Sequence, residues 1–396
     1  MYRKTFIEIN LNNLYNNVKK LTDFYKYKYY IGVVKGSCYG HGEYIVNTLV
    51  DAGINYLAIS SLEEAIKLRK YNKDTPILCL EPIDMDYLNI CIENNIAITL
   101  HDYNYFKDLI NLKLNGVLKI HLKIDTGMNR LGIKSSNQIN EIYNKLIENK
   151  NFYLEGIYTH FGTSGVYDKT YDNQVDRFNY LTKDIDLSKI PIVHLNKSVN
   201  VQAHTKMNYE TGVRLGIVMY GYNQLNGPML NTFRQKLRYY RKIFRNKRLG
   251  VSKTIKKCNL ELKPSYKLVS EVIQVKKINK GDHVGYGEVF TAQSDGYVAT
   301  IPIGYADGFS LDNTGRTILI NDKRYKIIDI VMMGMITALV DETVKVHDRV
   351  VLMGDDISIL EVSIHNHSTQ YETLCRANSN VPRVYIKDNK ILHIEE

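Results

Sequence analysis

The stretch YYIGVVKGSCYGHG, residues 29–42, ends a β-rich apolar run on a lysine and continues into a segment with three glycines. Seven more β-rich runs follow, separated by longer polar segments whose patterns are typical of helices. The eight runs are YYIGVVK (29–35), YLAIS (56–60), PILCLE (76–81), IAITL (96–100), LKIHLKID (118–125), LEGIYTHF (154–161), IPIVHLN (190–196) and TGVRLGIVMYG (211–221). This alternation predicts a (β/α)8 barrel, because parallel strands need helical crossovers and eight of them close into a filled barrel. A doubly wound open sheet is the structural alternative.

The rhythm of the sequence changes in its last third. From Tyr266 onward, β-rich runs are separated by short turns containing Gly, Asn and Asp, which predicts a mainly β second domain. We expect the barrel domain to occupy residues 1–225, with an N-terminal strand that can pack with the C-terminal domain. The C-terminal β domain is expected at residues 263–396.

Residues 226–262 are predicted to form a basic amphipathic insertion or linker. Eleven Lys or Arg and no acid lie between Arg234 and Lys257, which more than accounts for the net charge of +10. Four apolar residues recur there at helical spacing. They are Phe233, Leu237, Tyr240 and Phe244. We interpret the segment as docked on its own protein with a solvated basic face, and binding to an anionic membrane, a nucleic acid or an acidic partner is the alternative. We expect no nucleic-acid ligand, and the partner of residues 234–257 is unknown.

Composition points to a reducing compartment. The five cysteines are an odd number and show no CxxC spacing, so neither a zinc site nor a disulfide framework is predicted. The N-terminal residues lack the apolar core of a signal peptide, and no apolar run is long enough to span a membrane. We therefore expect a cytoplasmic protein.

The ends of the predicted barrel strands bring chemically useful residues to one face. Lys35 ends the first run, His160 ends the sixth, Ser198 follows the seventh, and the amides of Gly216 and Ile217 follow the eighth. Free amides at the start of a short helix can hold a phosphate, and a lysine beside them suits covalent attachment of pyridoxal phosphate. Each residue also has a simpler interpretation: a surface lysine, a structural histidine or a helix-capping serine.

Several motifs resemble blocks of the alanine racemase family in the order in which that family carries them. They are VVKGSCYGHG (33–42), HLKIDTGMNRLG (121–132), YTHF (158–161), VRLGIVMYG (213–221), LKP (262–264), GYG (285–287), TIPIGYADGF (300–309), QYE (370–372) and VPRVY (381–385). The resemblance spans nearly the whole chain. It implies a pyridoxal phosphate enzyme with an N-terminal barrel, a C-terminal β domain and the ability to racemise an amino acid.

The resemblance implies a role for most of the candidate residues. Lys35 would hold the cofactor covalently, Arg214 would face the pyridine nitrogen, and His160 would form a hydrogen-bonding relay beside Arg214. The residues of the phosphate site would be Tyr39, Ser198, Gly216, Ile217 and Tyr371. An arginine at the ring nitrogen can only donate, so the nitrogen should stay unprotonated and the cofactor should be a weaker electron sink.

Racemisation needs a proton carrier on each face of the α-carbon. The resemblance implies that Lys35 serves one face and Tyr305, from the partner subunit of a homodimer, serves the other. Arg130 would bind the substrate carboxylate, and Lys123, which some members of the family carry as a carbamate, would orient Arg130. The backbone N–H of Met333, from the second subunit, would also contact substrate.

Some positions depart from the family pattern. Gly36, Ser37 and Cys38 replace the usual Ala, Asn and Ala, and Lys197 stands where Asn commonly precedes the phosphate-site serine. In DIVMMGMIT, Met332 replaces a small residue and Gly334 replaces an aspartate. The expected function is racemisation of L-alanine to D-alanine for peptidoglycan. A serine or broad-specificity racemase and a non-catalytic pyridoxal phosphate-binding protein are the alternatives; a decarboxylase of the same fold is disfavoured, because its specificity cysteine and glycine-rich phosphate loop are not evident.

Overall fold

The computed structural model contains two compact units. It describes residues 2–163, 169–222, 260–354 and 356–396, together with positions 233, 237, 240, 241 and 244. The barrel unit comprises Tyr15–Cys38 and Glu43–Leu262. The β unit comprises Met1–Leu14, Tyr39–Gly42 and Lys263–Glu396.

The barrel unit is built on eight parallel strands that coincide with the eight runs of the sequence. Strands are numbered along the chain, so β1 (Phe6–Asn10) belongs to the β unit. The barrel strands are β2 (Tyr29–Val33), β3 (Tyr56–Ile59), β4 (Ile77–Cys79), β5 (Ile96–Leu100), β6 (Leu118–Lys123), β7 (Phe152–Tyr158), β8 (Ile192–His194) and β9 (Gly212–Leu215). Every residue of β3 and β5 is buried, as expected of strands covered on both faces.

The strand order closes these eight strands almost completely. The order is β8-β7-β6-β5-β4-β3-β2-β9, so β2 pairs in parallel with both β3 and the last strand, β9. An isolated parallel bridge between Lys197 and Arg214 joins the two ends of the sheet, and the Arg214 amide donates to the Asn196 carbonyl at 3.1 Å. The predicted barrel is therefore confirmed, and the open-sheet alternative is wrong.

Helices connect the strands of the barrel. They are Leu11–Phe24, Val46–Asp51, Leu62–Arg69, Leu88–Glu93, Tyr103–Leu109, Ser136–Glu148, Thr170–Leu181 and Ser198–Ala203. Short 3-10 turns occur at Glu43–Ile45, Met85–Tyr87 and Leu187–Lys189.

The β unit is dominated by one mixed sheet of ten strands. Its order is β11-β14-β17-β16-β15-β18-β10-β1-β19-β20, and β12 and β13 form a separate pair. The strands are β10 (Tyr266–Glu271), β11 (Gln274–Ile278), β12 (His283–Val284), β13 (Phe290–Thr291), β14 (Gly296–Ile301), β15 (Thr317–Ile320), β16 (Lys323–Ile327), β17 (Ile336–Val340), β18 (Arg349–Met353), β19 (Arg383–Lys387) and β20 (Lys390–Glu395). Helices Ile359–His365 and Gln370–Cys375 and 3-10 turns Tyr286–Glu288, Tyr305–Asp307 and Leu311–Asn313 complete the unit. The predicted mainly β character is confirmed.

The N-terminal strand is part of this sheet. β1 pairs with β10 in antiparallel and with β19 in parallel orientation, so that Ile7 lies opposite Leu268 on one side and Arg383 on the other. Ile7 and Ile9 are fully buried. Residues from the two ends of the sequence therefore share one core.

The basic segment is described only at five positions. Phe233, Leu237, Tyr240 and Phe244 are helical, as their spacing predicts, and all four side chains are exposed rather than docked. The rest of the predicted insertion, including most of its lysines and arginines, lies outside the described residues. Across the described ranges, no helix combines the length and apolar character needed to cross a bilayer.

Candidate active site

The lysine of the opening motif stands on a left-handed turn at the end of β2. Lys35 is exposed, and Gly36, Ser37, Cys38 and Tyr39 all have φ between 49° and 63°. L-amino acids disfavour this conformation by roughly 1–2 kcal/mol per residue, and Gly36 avoids that cost at the first position. Three consecutive non-glycine residues nevertheless hold the strained geometry, which is typical of functional sites.

A carboxylate from the next helix supports this turn. Ser61 caps helix Leu62–Arg69 by accepting a hydrogen bond from the Glu64 amide at 3.4 Å, which forms one half of a capping box. The Glu64 carboxylate does not return to Ser61. It accepts instead from the amides of Ser60 at 2.8 Å and Gly36 at 2.6 Å, so it ties the end of β3 to the turn that carries Lys35.

A hydroxyl and backbone amides meet at the end of the last barrel strand. β9 ends at Leu215, opposite Gly32 of β2, and the Gly216 amide donates to Ser198 Oγ at 2.7 Å. The Ile217 residue is fully buried, and its amide donates to no acceptor in the described part of the chain. A hydroxyl beside a buried N–H without an acceptor fits an oxyanion such as phosphate.

Two sequence interpretations of this region need correction. Ser198 is not a helix cap, because the N-cap of helix Ser198–Ala203 is Lys197 and no side chain caps it. The residues after β9 do not form a regular helix: the Met219 amide donates to the Gly216 carbonyl and the Tyr220 amide to the Ile217 carbonyl, which are four-residue turns. Such turns still leave their first amides without an intrahelical acceptor.

Arg214 is buried and its terminal nitrogens are occupied by protein acceptors. One donates to His194 Nδ1 at 2.7 Å and to the His194 carbonyl, and the other donates to the carbonyls of Thr159 at 2.7 Å and Leu195 at 2.9 Å. The guanidinium also lies 5.3 Å from the centre of the Tyr158 ring. Burial lowers the pKa of Arg214 to about 10, which keeps it charged at neutral pH. Nε is the donor left to face a ligand.

A buried polar chain behind Arg214 was not anticipated from the sequence. His194 Nε2 lies 3.0 Å from His121 Nδ1, and His121 Nε2 lies 3.3 Å from Glu155 Oε2, which also accepts from Tyr56 at 2.6 Å. A signal was present: His121, Glu155 and His194 are polar residues that lie within runs predicted to be barrel strands. Buried polar groups in such positions require partners, so they predict one another.

A bulge in β7 makes room for this chain. The register of β6 and β7 pairs Ile120 with Leu154 and then His121 with Gly156, so Glu155 is left unpaired and its side chain is redirected. A Cβ atom on Gly156 would lie 2.3 Å from His121 Nδ1. Glycine is therefore required there by the histidine ring.

His160 contacts Lys197, a partner that the sequence did not predict. Lys197 Nζ lies 3.1 Å from His160 Nε2 and donates to the Phe161 carbonyl at 3.0 Å. Burial and the charges of Lys197, Arg214, Lys123 and Arg130 hold the pKa of His160 far below its ordinary value. His160 is therefore neutral in this site.

Lys123 and Arg130 belong to the end of β6 and the loop that follows it. Lys123 is buried, donates to the Ile124 carbonyl at 3.2 Å and lies 4.9 Å from the centre of the Tyr158 ring. Burial and the charges of Arg214 and Arg130 lower its pKa to about 7. Arg130 is exposed, in a loop that Asp125 shapes by accepting from the amides of Gly127 and Asn129.

The remaining predicted site residues lie in the β unit and form two groups there. The rings of Tyr39 and Tyr371 are 5.9 Å apart, with Tyr39 buried and Tyr371 partly exposed. Tyr305 and Met333 are both exposed and lie side by side, because the Tyr305 and Ala306 amides donate to the carbonyls of Met332 and Met333 at 3.0 Å. A Cβ atom on Gly304 would lie 2.1 Å from the Met332 carbonyl oxygen, so the first position of GYADGF requires a glycine.

Family models match both halves of the chain. The model described as alanine racemase, N-terminal domain, matches residues 9–224, and the model described as alanine racemase, C-terminal domain, matches residues 265–385. The chain belongs to the alanine racemase family. The family resemblance stated from the motifs is thereby confirmed.

Relatives agree with this assignment over their full length. The alanine racemase of Clostridium tetani is 32% identical over 407 residues, which cover 99% of this chain and 98% of that relative. Among solved structures, alanine racemase from Bacillus anthracis with bound L-Ala-P has a TM-score of 0.85 at 27% identity, covering 100% of this chain and 98% of that one. A histidine racemase from Leuconostoc mesenteroides has a TM-score of 0.82 at 25% identity, covering 98% and 99%.

The barrel unit fits the cofactor on which the alanine racemase family depends. Lys35 supplies an accessible amine on the turn that the Glu64 carboxylate supports. The Ser198 hydroxyl and the buried Ile217 amide can bind a phosphate, and Arg214 Nε can donate a hydrogen bond to a ring nitrogen. Within the described ranges, no cluster of three or more His, Cys, Asp or Glu side chains could hold a metal ion.

Proposed function

We propose that this chain catalyses the racemisation of L-alanine to D-alanine with pyridoxal phosphate. The observation that carries the proposal is the register of β2 and β9, which sets Gly32 opposite Leu215 and so brings the Lys35 turn beside the Ser198 and Gly216 cradle. Pyridoxal phosphate needs an amine for its aldehyde, hydrogen-bond donors for its phosphate and a partner for its ring nitrogen. Neighbouring strand ends supply these as Lys35, the Ser198 and Gly216 cradle, and the buried Arg214 guanidinium. When bound, pyridoxal phosphate supplies an aldehyde for the substrate amine and a ring that accepts electron density from the α-carbon.

Each barrel residue then has a separate task. Lys35 anchors the cofactor and, once released, carries a proton on one face of the substrate. Arg214 holds the ring nitrogen without protonating it, since a guanidinium can only donate. Arg130 binds the substrate carboxylate, with Lys123 beside it.

The second proton carrier in this proposal is Tyr305, acting from the partner subunit of a homodimer. Its exposure in the single chain, and that of the adjacent Met333, suits residues that act on another subunit. The tyrosine OH would carry the proton on the opposite face, and the Met333 amide would contact substrate. Tyr39 and Tyr371 would complete the phosphate site.

Mixed dimers test the shared site. Subunits carrying Lys35→Ala and subunits carrying Tyr305→Phe should each be inactive alone. After unfolding and refolding together, about a quarter of the sites should be intact, because half of the dimers are hybrid and each hybrid has one unaltered site. No recovery in a mixture shown by mass spectrometry to contain hybrids would contradict the shared arrangement.

A broader or different amino-acid substrate is the second candidate. The loop at Met332 and Gly334 departs from the family pattern, and both positions are accessible to solvent. The structural match to a histidine racemase shows that the same fold occurs in a racemase named for a substrate other than alanine. Presence of the full β unit with Tyr305 disfavours a non-catalytic cofactor-binding protein.

The deciding experiment measures α-proton exchange. Purified protein loaded with pyridoxal phosphate is incubated in D2O with a panel of L-amino acids, and optical rotation and α-deuterium are followed together. Alanine should exchange and racemise fastest. Faster turnover of serine or histidine would support the second candidate, whereas no exchange of any amino acid would exclude a racemase.

The biological setting belongs to the same proposal. We propose a cytoplasmic enzyme that supplies D-alanine for peptidoglycan. Depletion of the enzyme in its host should create a requirement for external D-alanine. Normal growth of depleted cells without it would contradict this role.

A further inference from the structure

Lys197 is a second amine held at fixed geometry beside the candidate active site. It occupies the N-cap of helix Ser198–Ala203, and its backbone forms the bridge to Arg214 that closes the barrel. Its Nζ lies 3.0 Å from the Phe161 carbonyl and 3.1 Å from His160 Nε2. Two contacts, to the adjacent residues His160 and Phe161, therefore fix the direction of this side chain.

The contact decides how the His160 ring carries its proton. An ammonium has N–H donors and no acceptor, so a lysine that faces Nε2 makes that nitrogen an acceptor. The positive groups that face His160 are Lys197, Arg214, Lys123 and Arg130, and they oppose a second proton on the ring. A neutral imidazole whose Nε2 accepts must carry its hydrogen on Nδ1.

Arg214 does not perform this task in the structure. Its side chain is buried, and its two terminal nitrogens donate to the His194 ring and to three backbone carbonyls. Among the described residues, Lys197 is the cation that contacts the His160 ring directly. The asparagine expected at this position from the family pattern carries no charge.

We propose that Lys197 is a positioning residue that fixes His160 as the neutral Nδ1–H tautomer, so that the imidazole donates to the oxygen of the second proton carrier. The inference rests on the proposed function, in which Tyr305 is that carrier. A hydrogen bond donated to the tyrosine oxygen favours its deprotonated form, which is the form that can remove a proton. Lys197 therefore supports one of the two directions of proton transfer.

Two substitutions separate the charge from the bulk of the side chain. Lys197→Arg keeps a donor to His160 Nε2, whereas Lys197→Met keeps an unbranched chain and removes the donor. Lys189→Met, on an exposed 3-10 turn, serves as the control for loss of a lysine. Thermal unfolding of all variants checks that each is folded.

The kinetic test follows deuterium exchange separately from each enantiomer as a function of pH. We expect Lys197→Met to slow exchange in one direction by about 10- to 100-fold at pH 7, the size of a general-base effect. The loss should shrink toward pH 10, where an ordinary phenol ionises without help and where Lys197 itself is uncharged, because burial and the charges of Arg214 and Arg130 lower its pKa to about 8. Lys197→Arg should recover most of the rate at pH 7. A loss that is equal in both directions and independent of pH would overturn the proposal.

A spectroscopic test needs no turnover. With 15N-labelled histidine, the His160 ring is assigned by comparison with His160→Gln, and its two nitrogen shifts are read in the cofactor-free protein. We expect the Nδ1–H form in the parent and in Lys197→Arg, and loss of that preference in Lys197→Met. An Nε2–H ring in the parent, or the same tautomer in Lys197→Met, would overturn the proposal. If the parent exchanges no amino acid, the proposed function fails, and the tautomers of the parent and of Lys197→Met still test the effect of Lys197 on the His160 ring separately.

Discussion

Glu155 and Arg214 stand at the two ends of one hydrogen-bonded chain inside the barrel, with His121 and His194 between them. Arg214 can only donate, so His194 accepts on Nδ1 and donates from Nε2, and His121 does the same toward the Glu155 carboxylate. Neutral histidines satisfy every step of this chain. A negative group thus orients a positive group through two rings, without direct contact between them.

Removing the negative charge of Glu155 should destabilise the protein. In Glu155→Gln, a neutral amide oxygen replaces the carboxylate oxygen that accepts from His121 and Tyr56, and the NH2 group faces Lys119 Nζ, which lies 3.5 Å from Oε1. Because the charge-assisted bonds are lost and two donors meet at Lys119, we expect the free energy of unfolding to fall by about 1–3 kcal/mol. Urea unfolding of the cofactor-free protein measures it. Glu148→Gln, at the exposed last position of helix Ser136–Glu148, is the matched control and should show no comparable loss.

The difference in unfolding free energy between the parent and Glu155→Gln should depend on pH. Burial alone would raise the pKa of Glu155, but hydrogen bonds from His121 and Tyr56 outweigh burial and lower it. The carboxylate therefore contributes stability above the ordinary carboxyl pKa of about 4.3, and that contribution disappears as the pH falls through the lowered value. The stability difference between parent and Glu155→Gln should narrow below about pH 4. A constant difference from pH 7 to pH 3 would contradict the ionised assignment.

Gly156 should be intolerant of a single methyl group. In Gly156→Ala, the added carbon would meet the His121 ring at 2.3 Å, and the displaced ring would break its contacts with His194 and Glu155. We expect a loss of about 1–3 kcal/mol in unfolding free energy. Gly296→Ala is the control, because nothing lies within 4 Å of a Cβ atom there. Equal stability of the two variants would show that the ring can move without cost.

Ser198 should contribute directly to cofactor affinity. Ser198→Ala removes the hydroxyl that meets the Gly216 amide, so we expect the dissociation constant for pyridoxal phosphate to rise by about 10-fold, as for the loss of one charge-assisted hydrogen bond. Equilibrium dialysis measures it. Ser188→Ala, which removes an exposed hydroxyl bonded to Asp186, should bind as the parent does. Unchanged affinity of Ser198→Ala would place the phosphate elsewhere.

Lys123 should react with carbon dioxide near neutral pH. Its pKa of about 7, lowered by burial and by the charges of Arg214 and Arg130, leaves about half of the amine unprotonated at pH 7. Incubation with 13C-bicarbonate should give one carbamate signal by NMR that grows between pH 6 and pH 8. Lys123→Arg should lack that signal, and a signal that persists in Lys123→Arg would belong to another amine.

Local sequence patterns are enough to predict the barrel strands and several residues of the site. Eight apolar runs correspond to eight barrel strands because fully buried parallel strands must be apolar along their length. Lys35 and Ser198 were found from their places after strand ends, where a barrel exposes side chains to ligands. Lys35 and Ser198 lie near each other because of the order of the barrel strands, and the alternation of strand and helix patterns in the sequence already limits that order.

Other features depended on contacts between distant parts of the chain. The partner of His160 could not be read from sequence, because Lys197 follows β8, Arg214 lies in β9, and only packing decides which of them reaches the ring. The β7 bulge and the chain from Glu155 to Arg214 likewise depend on the register between strands, which spacing along the sequence does not specify. Hydrophobic periodicity and motifs determined the fold class and the family, since both are local. Tertiary structure decided the hydrogen-bond partners of the buried charged groups, because their partners come from strands that are distant in sequence.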